Sequence, residues 1–156
     1  HIDGGSGAGA EARRRGYSKA MADHGLADET IIAGGDFTEA GGYHAASELL
    51  DQPRRPTAIF AANDLSAAGA LDRVEDAGLV VPDSVSIVGY DNTALAAMQH
   101  MSLTTVNQPR DELGSLAVKF LLERIRDERT ESVHHVIAPT LVTRRTSSRL
   151  TAGAPA

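Results

Sequence analysis

Three stretches decide the fold of this chain: Pro56-Thr-Ala-Ile-Phe-Ala-Ala-Asn63-Asp64, Gly89-Tyr-Asp91-Asn92 and Leu103-Thr-Thr-Val-Asn-Gln108-Pro109. The first and third contain short apolar or β-branched runs typical of buried strands, and the second follows such a run. Each stretch ends in polar side chains. Because small ligands bind at the carboxyl ends of strands in open parallel sheets, these polar endings predict a small-molecule site at that edge.

The composition favours a globular protein of ordinary domain size. The chain has 156 residues, 42 % of them hydrophobic and 23 % charged, and its net charge is −6. An acidic surface repels the phosphate backbone, so we do not expect this chain to bind DNA by itself. Without cysteine it can form neither disulfides nor thiolate metal sites, and no apolar run approaches the roughly 18–20 residues that span a bilayer. These features predict a cytoplasmic location.

Short β-branched runs alternate with longer helical patterns along the chain. The predicted helices are Ala10–His24, 38–51, Leu65–Ala77 and Asp111–Arg126; the predicted strands are Thr30–Ala33, Ala58–Ala62, Val85–Val88, Leu103–Val106, Val133–Ile137 and Leu141–Thr143. This alternation predicts an α/β fold in which a parallel sheet is flanked by helices.

Both ends of the chain differ from its middle. The opening His1-Ile2-Asp3-Gly4 reads as the end of a strand running into a loop, so we expect the chain to be a fragment of a longer protein. Residues 149–156 are mostly small, and we expect them to form a mobile tail.

The segment Gly7-Ala-Gly9-Ala-Glu-Ala12 matches a dinucleotide-binding pattern that opens a helix. In such a motif the glycines let a pyrophosphate approach backbone N–H groups, and Asp36 at the end of the next predicted strand could bind a ribose hydroxyl. In a chain rich in Gly and Ala, the same letters also arise in any loop before a helix. A nucleotide-binding enzyme domain is therefore the least favoured alternative.

Polar and aromatic side chains near strand ends are the candidate ligand contacts. Asp91 and Asn63 each follow a buried strand, and either could instead cap the next element, whereas Asp64 is assigned to the helix cap. Arg13, on the first helix, offers a fork of donors for two hydroxyls or a carboxylate, with a solvated helix face as the alternative. Phe37 suits stacking on a sugar or a planar base, unless it packs on its own helix.

The sequence shows no arrangement typical of catalysis or of metal binding. His134 and His135 are adjacent on a predicted strand, so their rings face opposite ways and cannot share a metal. The loop Gly4-Gly-Ser6-Gly-Ala8 lacks the last glycine of a nucleophile elbow. We therefore predict that the chain is not an enzyme and uses neither a metal nor a cofactor.

Taken together, a series of segments resembles the successive landmarks of the LacI/GalR family of transcriptional regulators. These segments are Arg13-Arg-Arg-Gly16-Tyr17, Gly35-Asp36-Phe37, Arg55-Pro-Thr-Ala-Ile-Phe-Ala-Ala-Asn63-Asp64, Ala67-Ala-Gly-Ala-Leu71, Gly78-Leu-Val-Val-Pro82-Asp-Ser-Val-Ser-Ile-Val-Gly-Tyr-Asp91-Asn, Leu103-Thr-Thr-Val-Asn-Gln-Pro, Leu113-Gly114 and Leu141-Val-Thr-Arg-Arg-Thr-Ser. The resemblance covers nearly the whole chain.

The resemblance implies a periplasmic-binding-protein-like fold of two α/β lobes with a small-molecule effector between them. Residues 1–107 and about 139–148 would form the C-terminal lobe, and residues 108–138 would contribute to the other lobe. The apolar stripe Leu113–Leu121 would then lack its usual partners in this chain, and we expect it to rest on neighbouring copies of the chain or on its own lobe at an unusual angle. The DNA-binding domain would lie upstream of this chain, and a homodimer would form through the C-terminal lobe, using the small-residue helix after Asp64.

Position by position, the effector contacts implied by the family are Arg13, Phe37, Asn63, Asp91 and Gln108. Gly7 and Gly9 stand where purine-responsive members carry base-contacting side chains, so a sugar or polyol is predicted ahead of a purine. A sugar-binding protein of a transport system, which shares the fold, is the alternative function.

Overall fold

The computed structural model describes residues 1–149, so that all but the first residue of the predicted tail 149–156 lie outside the described residues. Five α-helices, one 3-10 helix (Ala27–Glu29) and four strands follow one another along the described residues. They are α1 (Ala8–Asp23), α2 (Glu39–Leu50), β1 (Ala58–Phe60), α3 (Asp64–Asp76), β2 (Ser86–Asp91), α4 (Ala94–Ala97), β3 (Thr104–Asn107), α5 (Arg110–Ile125) and β4 (Thr140–Val142).

The strands form one sheet in the order β1-β2-β3-β4, parallel except for the last pair. The register places Val88 beside both Phe60 and Thr104. Ile2 extends the sheet beyond β1, where it forms parallel bridges with Ala61 and with Ala33. The α/β architecture with a mainly parallel sheet is therefore confirmed, and the carboxyl ends of its parallel strands share one edge.

The packing of α2 against α3 explains the small residues of both helices. A side chain at Gly69 would place its Cβ 1.9 Å from the carbonyl oxygen of Glu39, and one at Gly42 would reach 2.2 Å from that of Ser66. The helix backbones thus approach so closely that only glycine fits. Leu49 and Val74 are fully or almost fully buried in the core under this pair. The small-residue helix after Asp64 is therefore largely occupied within the protomer, with Leu65 left 47 % exposed.

Helix α5 lies outside the core. None of its residues is buried, although it carries the predicted apolar stripe. Val118, Leu121 and Ile125 are exposed by 57 %, 59 % and 67 %. Most of the stripe between Leu113 and Leu121 is therefore uncovered among the described residues, although the Phe120 ring lies near Arg129 and His135.

Two predicted strands are wrong. Val133–Ile137 forms no strand, and Val136 is 91 % exposed. The β-branched run there has neither a neighbouring strand nor a core face on which to order. Thr30–Ala33 is reduced to a single bridge, in which Ala33 pairs with Ile2.

Candidate functional site

The carboxyl edge of the sheet brings three of the predicted side chains together. Asp91, at the end of β2, lies with its Oδ1 3.5 Å from Nη2 of Arg13 on α1. Gln108, which follows β3, donates from Nε2 to the same carboxylate oxygen at 2.5 Å. The strand ends supply Asp91 and Gln108 side by side because β2 and β3 are paired in parallel, with Asp91 opposite Asn107.

Two aromatic rings flank the Arg13 guanidinium. Its Cζ lies 4.0 Å from the centroid of the Tyr90 ring and 5.5 Å from that of Phe37, within the range of cation–π attraction. The Phe37 ring also lies on the backbone of Gly4. A Cβ added at Gly4 would lie 2.2 Å from Cζ of Phe37. The Phe37 ring therefore packs on Gly4 and near Arg13, and not only on its own helix.

The environment of Asp91 shifts the pKa of its carboxyl upward. Burial raises the pKa of the Asp91 carboxyl above its usual value, while the hydrogen bond from Gln108 and the charge of Arg13 oppose this shift. Nearby Asp64 adds to the increase. A partly desolvated carboxylate beside a fork of donors is suited to bind neighbouring hydroxyls, since the carboxylate accepts hydrogen bonds and the guanidinium donates them.

Asn63 differs from the other predicted contacts because its side chain already has partners on both ends. Its Oδ1 accepts from the backbone N–H of Ser66 at 2.8 Å, which makes it the N-cap of α3. Its Nδ2 donates to the carbonyl of Phe37 at 2.9 Å. Asn63 thereby holds the loop that carries Phe37, and the alternative of a cap, which the sequence left open, is realised.

The assignment of Asp64 as the helix cap is wrong. Asp64 is the first residue of α3, 1 % exposed, and its carboxylate turns inward to the ends of β2 and β3. Only one residue can occupy the cap position, and the extended backbone of Asn63 (φ −152°, ψ 177°) takes it.

Sequence reasoning missed two contributors to this edge. Tyr90 is not among the predicted contacts, although its position next to Asp91 at a strand end is a usable signal. Asp3 ends the Ile2 segment, accepts from the N–H of Gly4 at 2.9 Å and forms an ion pair with Arg14. Asp3 and Arg14 support the loop before α1; no pattern in the sequence linked them.

The glycine loop before α1 offers backbone instead of side chains. Gly7 is the N-cap of α1 and makes no side-chain cap, and a Cβ at Gly9 would meet Nη1 of Arg13 at 3.6 Å. Asp36, the residue considered for a ribose hydroxyl, instead accepts from the N–H and the hydroxyl of Thr38. These hydrogen bonds lower the pKa of the Asp36 carboxyl. In this structure Asp36 therefore serves the start of α2, which does not favour the dinucleotide alternative.

Across residues 1–149, no three His, Asp or Glu side chains are placed to hold a metal ion. Within the same described part, no helix combines the length and apolar character needed to cross a membrane.

Comparison with known proteins places this geometry in a family. The family profile described as "Periplasmic binding protein-like domain" matches residues 4–147. The HTH-type transcriptional repressor PurR of Salmonella arizonae is 42 % identical over 134 residues, which cover 85 % of this chain and 39 % of that protein. The chain thus spans about two fifths of the length of this relative.

Solved structures of LacI-type regulators have the same fold as this chain. The LacI transcriptional regulator from a Rhodococcus species superposes with a TM-score of 0.90 at 38 % identity, covering 94 % of this chain and 54 % of that one. A LacI family transcriptional regulator from Enterococcus faecium with bound ribose gives a TM-score of 0.82 at 33 % identity, covering 90 % of this chain and 52 % of that one. These relatives are regulators and repressors, not enzymes, in agreement with the prediction that this chain is not an enzyme. The chain belongs to the periplasmic-binding-protein-like domain family, in the form carried by LacI-type transcriptional regulators.

Proposed function

We propose that this chain is the effector-sensing part of a transcriptional repressor and that its effector binds at the Arg13–Asp91–Gln108 edge. The observation that carries the proposal is the convergence of a carboxylate, an amide and a guanidinium held between two aromatic rings. This set combines donors, acceptors and an apolar cover, which a small polar ring requires.

For the effector itself we favour a sugar or polyol. Arg13 and Asp91 present complementary donors and acceptors 3.5 Å apart, which matches a pair of adjacent hydroxyls. The loop at Gly7 and Gly9 has no side chains with which to read the edge of a base. The relative named PurR argues for the purine alternative, and the relative holding ribose argues for the sugar.

Residues 108–138 are proposed to belong to a second lobe, with residues 1–107 and about 139–148 forming the first. The exposed apolar stripe of α5 supports this division, because covering apolar residues such as Leu121 with a partner lowers the free energy of the protein. β4 returns from this excursion to pair antiparallel with β3. An effector held between two lobes would contact Arg13 and Asp91 on this one.

Signalling would follow from thermodynamic linkage. An effector that binds the closed arrangement of lobes more tightly shifts the population toward it. A coupling of about 1–3 kcal/mol between effector and operator sites would change operator affinity roughly 5–150-fold. Operator binding would reside in a domain outside this acidic chain, in a cytoplasmic homodimer formed through this lobe, where exposed Leu65 is available for contact.

The proposal is tested on the full-length regulator with a thermal-shift screen of ribose and guanine. Binding of either one that is lost in the Asp91→Ala variant supports the site, and the one that binds selects between sugar and purine. Asp91→Ala with unchanged affinity would assign Asp91 to a structural role only. A secretion signal upstream, in place of a DNA-binding motif, would favour the transport protein.

A further inference from the structure

Asp64 is an unusual residue in this core. Asp64 is 1 % exposed, and no positively charged side chain pairs with its carboxylate among the described residues. Buried carboxylates are costly unless hydrogen bonds satisfy them. Asp64 accepts three: from the N–H and the hydroxyl of Thr93 at 2.7 and 2.8 Å, and from the hydroxyl of Thr105 at 2.6 Å.

These partners border the turn that presents Asp91. Asp91 and Asn92 have positive φ angles of 114° and 52°, in a region that residues other than glycine seldom adopt. Such conformations persist only where the surroundings over-determine them. Thr93 follows the turn directly, and the Thr105 hydroxyl accepts from the N–H of Asn92 at 3.3 Å while donating to Asp64.

The side chain of Asn92 is fixed as well. Its Nδ2 donates to Oδ1 of Asn107 at 3.0 Å, and its Oδ1 accepts from Nη2 of Arg144 at 2.8 Å. The approach of Asp64 to the turn depends on Gly89, where a Cβ would lie 2.6 Å from Oδ1 of Asp64. The carboxylate therefore lies directly under β2.

We infer that Asp64 is a positioning residue for effector binding: through Thr93 and Thr105 its carboxylate holds the Asp91–Asn92 turn in its strained conformation. The Asp91 carboxylate is thereby kept facing Arg13 and Gln108. Asp64 itself is covered by the protein and does not touch the effector. The inference rests on the proposed function, because it assigns a supporting role at the same site.

The chain offers a matched pair of variants for the test. The hydroxyls of Thr105 and Thr146 are both buried and each bridges one acceptor and one donor: Thr105 joins Asp64 to the N–H of Asn92, and Thr146 joins the carbonyl of Ile87 to the N–H of Thr104. Replacing either threonine with valine removes one bridge at nearly constant volume. Only the bridge at Thr105 reaches the turn.

Both variants, with Asp64→Asn and Asp91→Ala, are made in the full-length regulator. Affinity is measured by calorimetric titration with ribose and with guanine. Hydrogen exchange of the peptide spanning residues 89–94 reports the state of the turn without any ligand. We expect Thr105→Val and Asp64→Asn to weaken binding at least tenfold and to speed exchange in this peptide. Thr146→Val should stay within twofold of the wild type in affinity and leave the peptide unchanged, despite a similar loss in melting temperature.

Wild-type affinity in Thr105→Val, together with lost binding in Asp91→Ala, overturns the positioning role and leaves the proposed function standing. Equal weakening by Thr105→Val and Thr146→Val also overturns it, because the effect would then follow global stability. Unchanged exchange in the 89–94 peptide of Thr105→Val overturns it without reference to a ligand. Unchanged binding in Asp91→Ala removes the proposed site itself and the positioning role with it.

Discussion

Replacing Asp91 by Asn should weaken effector binding without weakening the fold. The substitution keeps the shape of the side chain and leaves an oxygen for the Gln108 amide, which lies 2.5 Å away. It removes the negative charge that faces Arg13 at 3.5 Å. The change therefore isolates the charge of Asp91 from its volume.

The expected loss of affinity follows from the hydrogen bonds that a carboxylate accepts from effector hydroxyls. A hydrogen bond to a charged group contributes about 1.5–3 kcal/mol, against about 1 kcal/mol for a neutral one. Since about 1.4 kcal/mol corresponds to a factor of ten, loss of one full charge-assisted bond gives roughly 10- to 150-fold weaker binding. A neutral bond retained by the new amide would place the result toward the lower end.

The stability of the variant is expected to move in the other direction. Burial raises the pKa of Asp91 in the folded chain, so the proton binds more tightly to the folded than to the unfolded state. Protonated Asp91 therefore contributes to the stability of the fold. This contribution is fully present below the unfolded pKa, near pH 3.8, and is lost as the pH rises through the folded pKa. At pH 7 the neutral Asn variant should thus be at least as stable as the wild type. At pH 4 the difference in stability between the two proteins should be smaller.

Calorimetric titration of the full-length regulator measures the affinity, and thermal melts at pH 4 and pH 7 measure the stability. Affinity within twofold of the wild type would show that the charge of Asp91 does not contact the effector. A variant less stable at pH 7 than at pH 4, each relative to wild type, would contradict the desolvation argument.

Four further substitutions test the helix packing, the helix cap and the division of the chain into lobes. Gly69→Ala should destabilise the fold by about 1–3 kcal/mol, since its Cβ would lie 1.9 Å from the carbonyl oxygen of Glu39. Gly16→Ala, within α1 and with no atom within 4 Å of its Cβ, should instead stabilise by about 0.5–1 kcal/mol; urea unfolding compares the two, and equal effects would contradict the close helix packing. Asn63→Ala should cost about 0.5–2 kcal/mol through loss of the α3 cap, and an unchanged urea midpoint would show that the cap contributes nothing. Leu121→Ser should leave the melting temperature of residues 1–156 nearly unchanged, because the side chain is 59 % exposed, yet lower that of the full-length regulator; equal effects in both would argue against a covering second lobe.

Local signals in the sequence were sufficient for most elements near the site. The apolar run Ala58–Ala62 and the Asn63-Asp64 pair predicted the strand and the start of α3, because a cap and a periodic helix depend on neighbouring residues. The same local reasoning failed at Val133–Ile137, where β-branched residues favour a strand but find no partner to pair with. Strand formation depends on an adjacent strand, which a sequence window does not contain.

The sequence by itself determined the α/β alternation, the family, and the polar side chains at the ends of strands, since each depends on residue types and on spacing along the chain. Only the tertiary structure decided which polar groups work together: Asp91 with Arg13 and Gln108 as the partly buried set, Asn63 as the cap, and Asp64 as the buried support. The physical reason is that partners 17 to 78 residues apart meet only through sheet register and helix packing. Hydrogen bonds and ion pairs act over a few ångströms in space, whatever the separation in sequence.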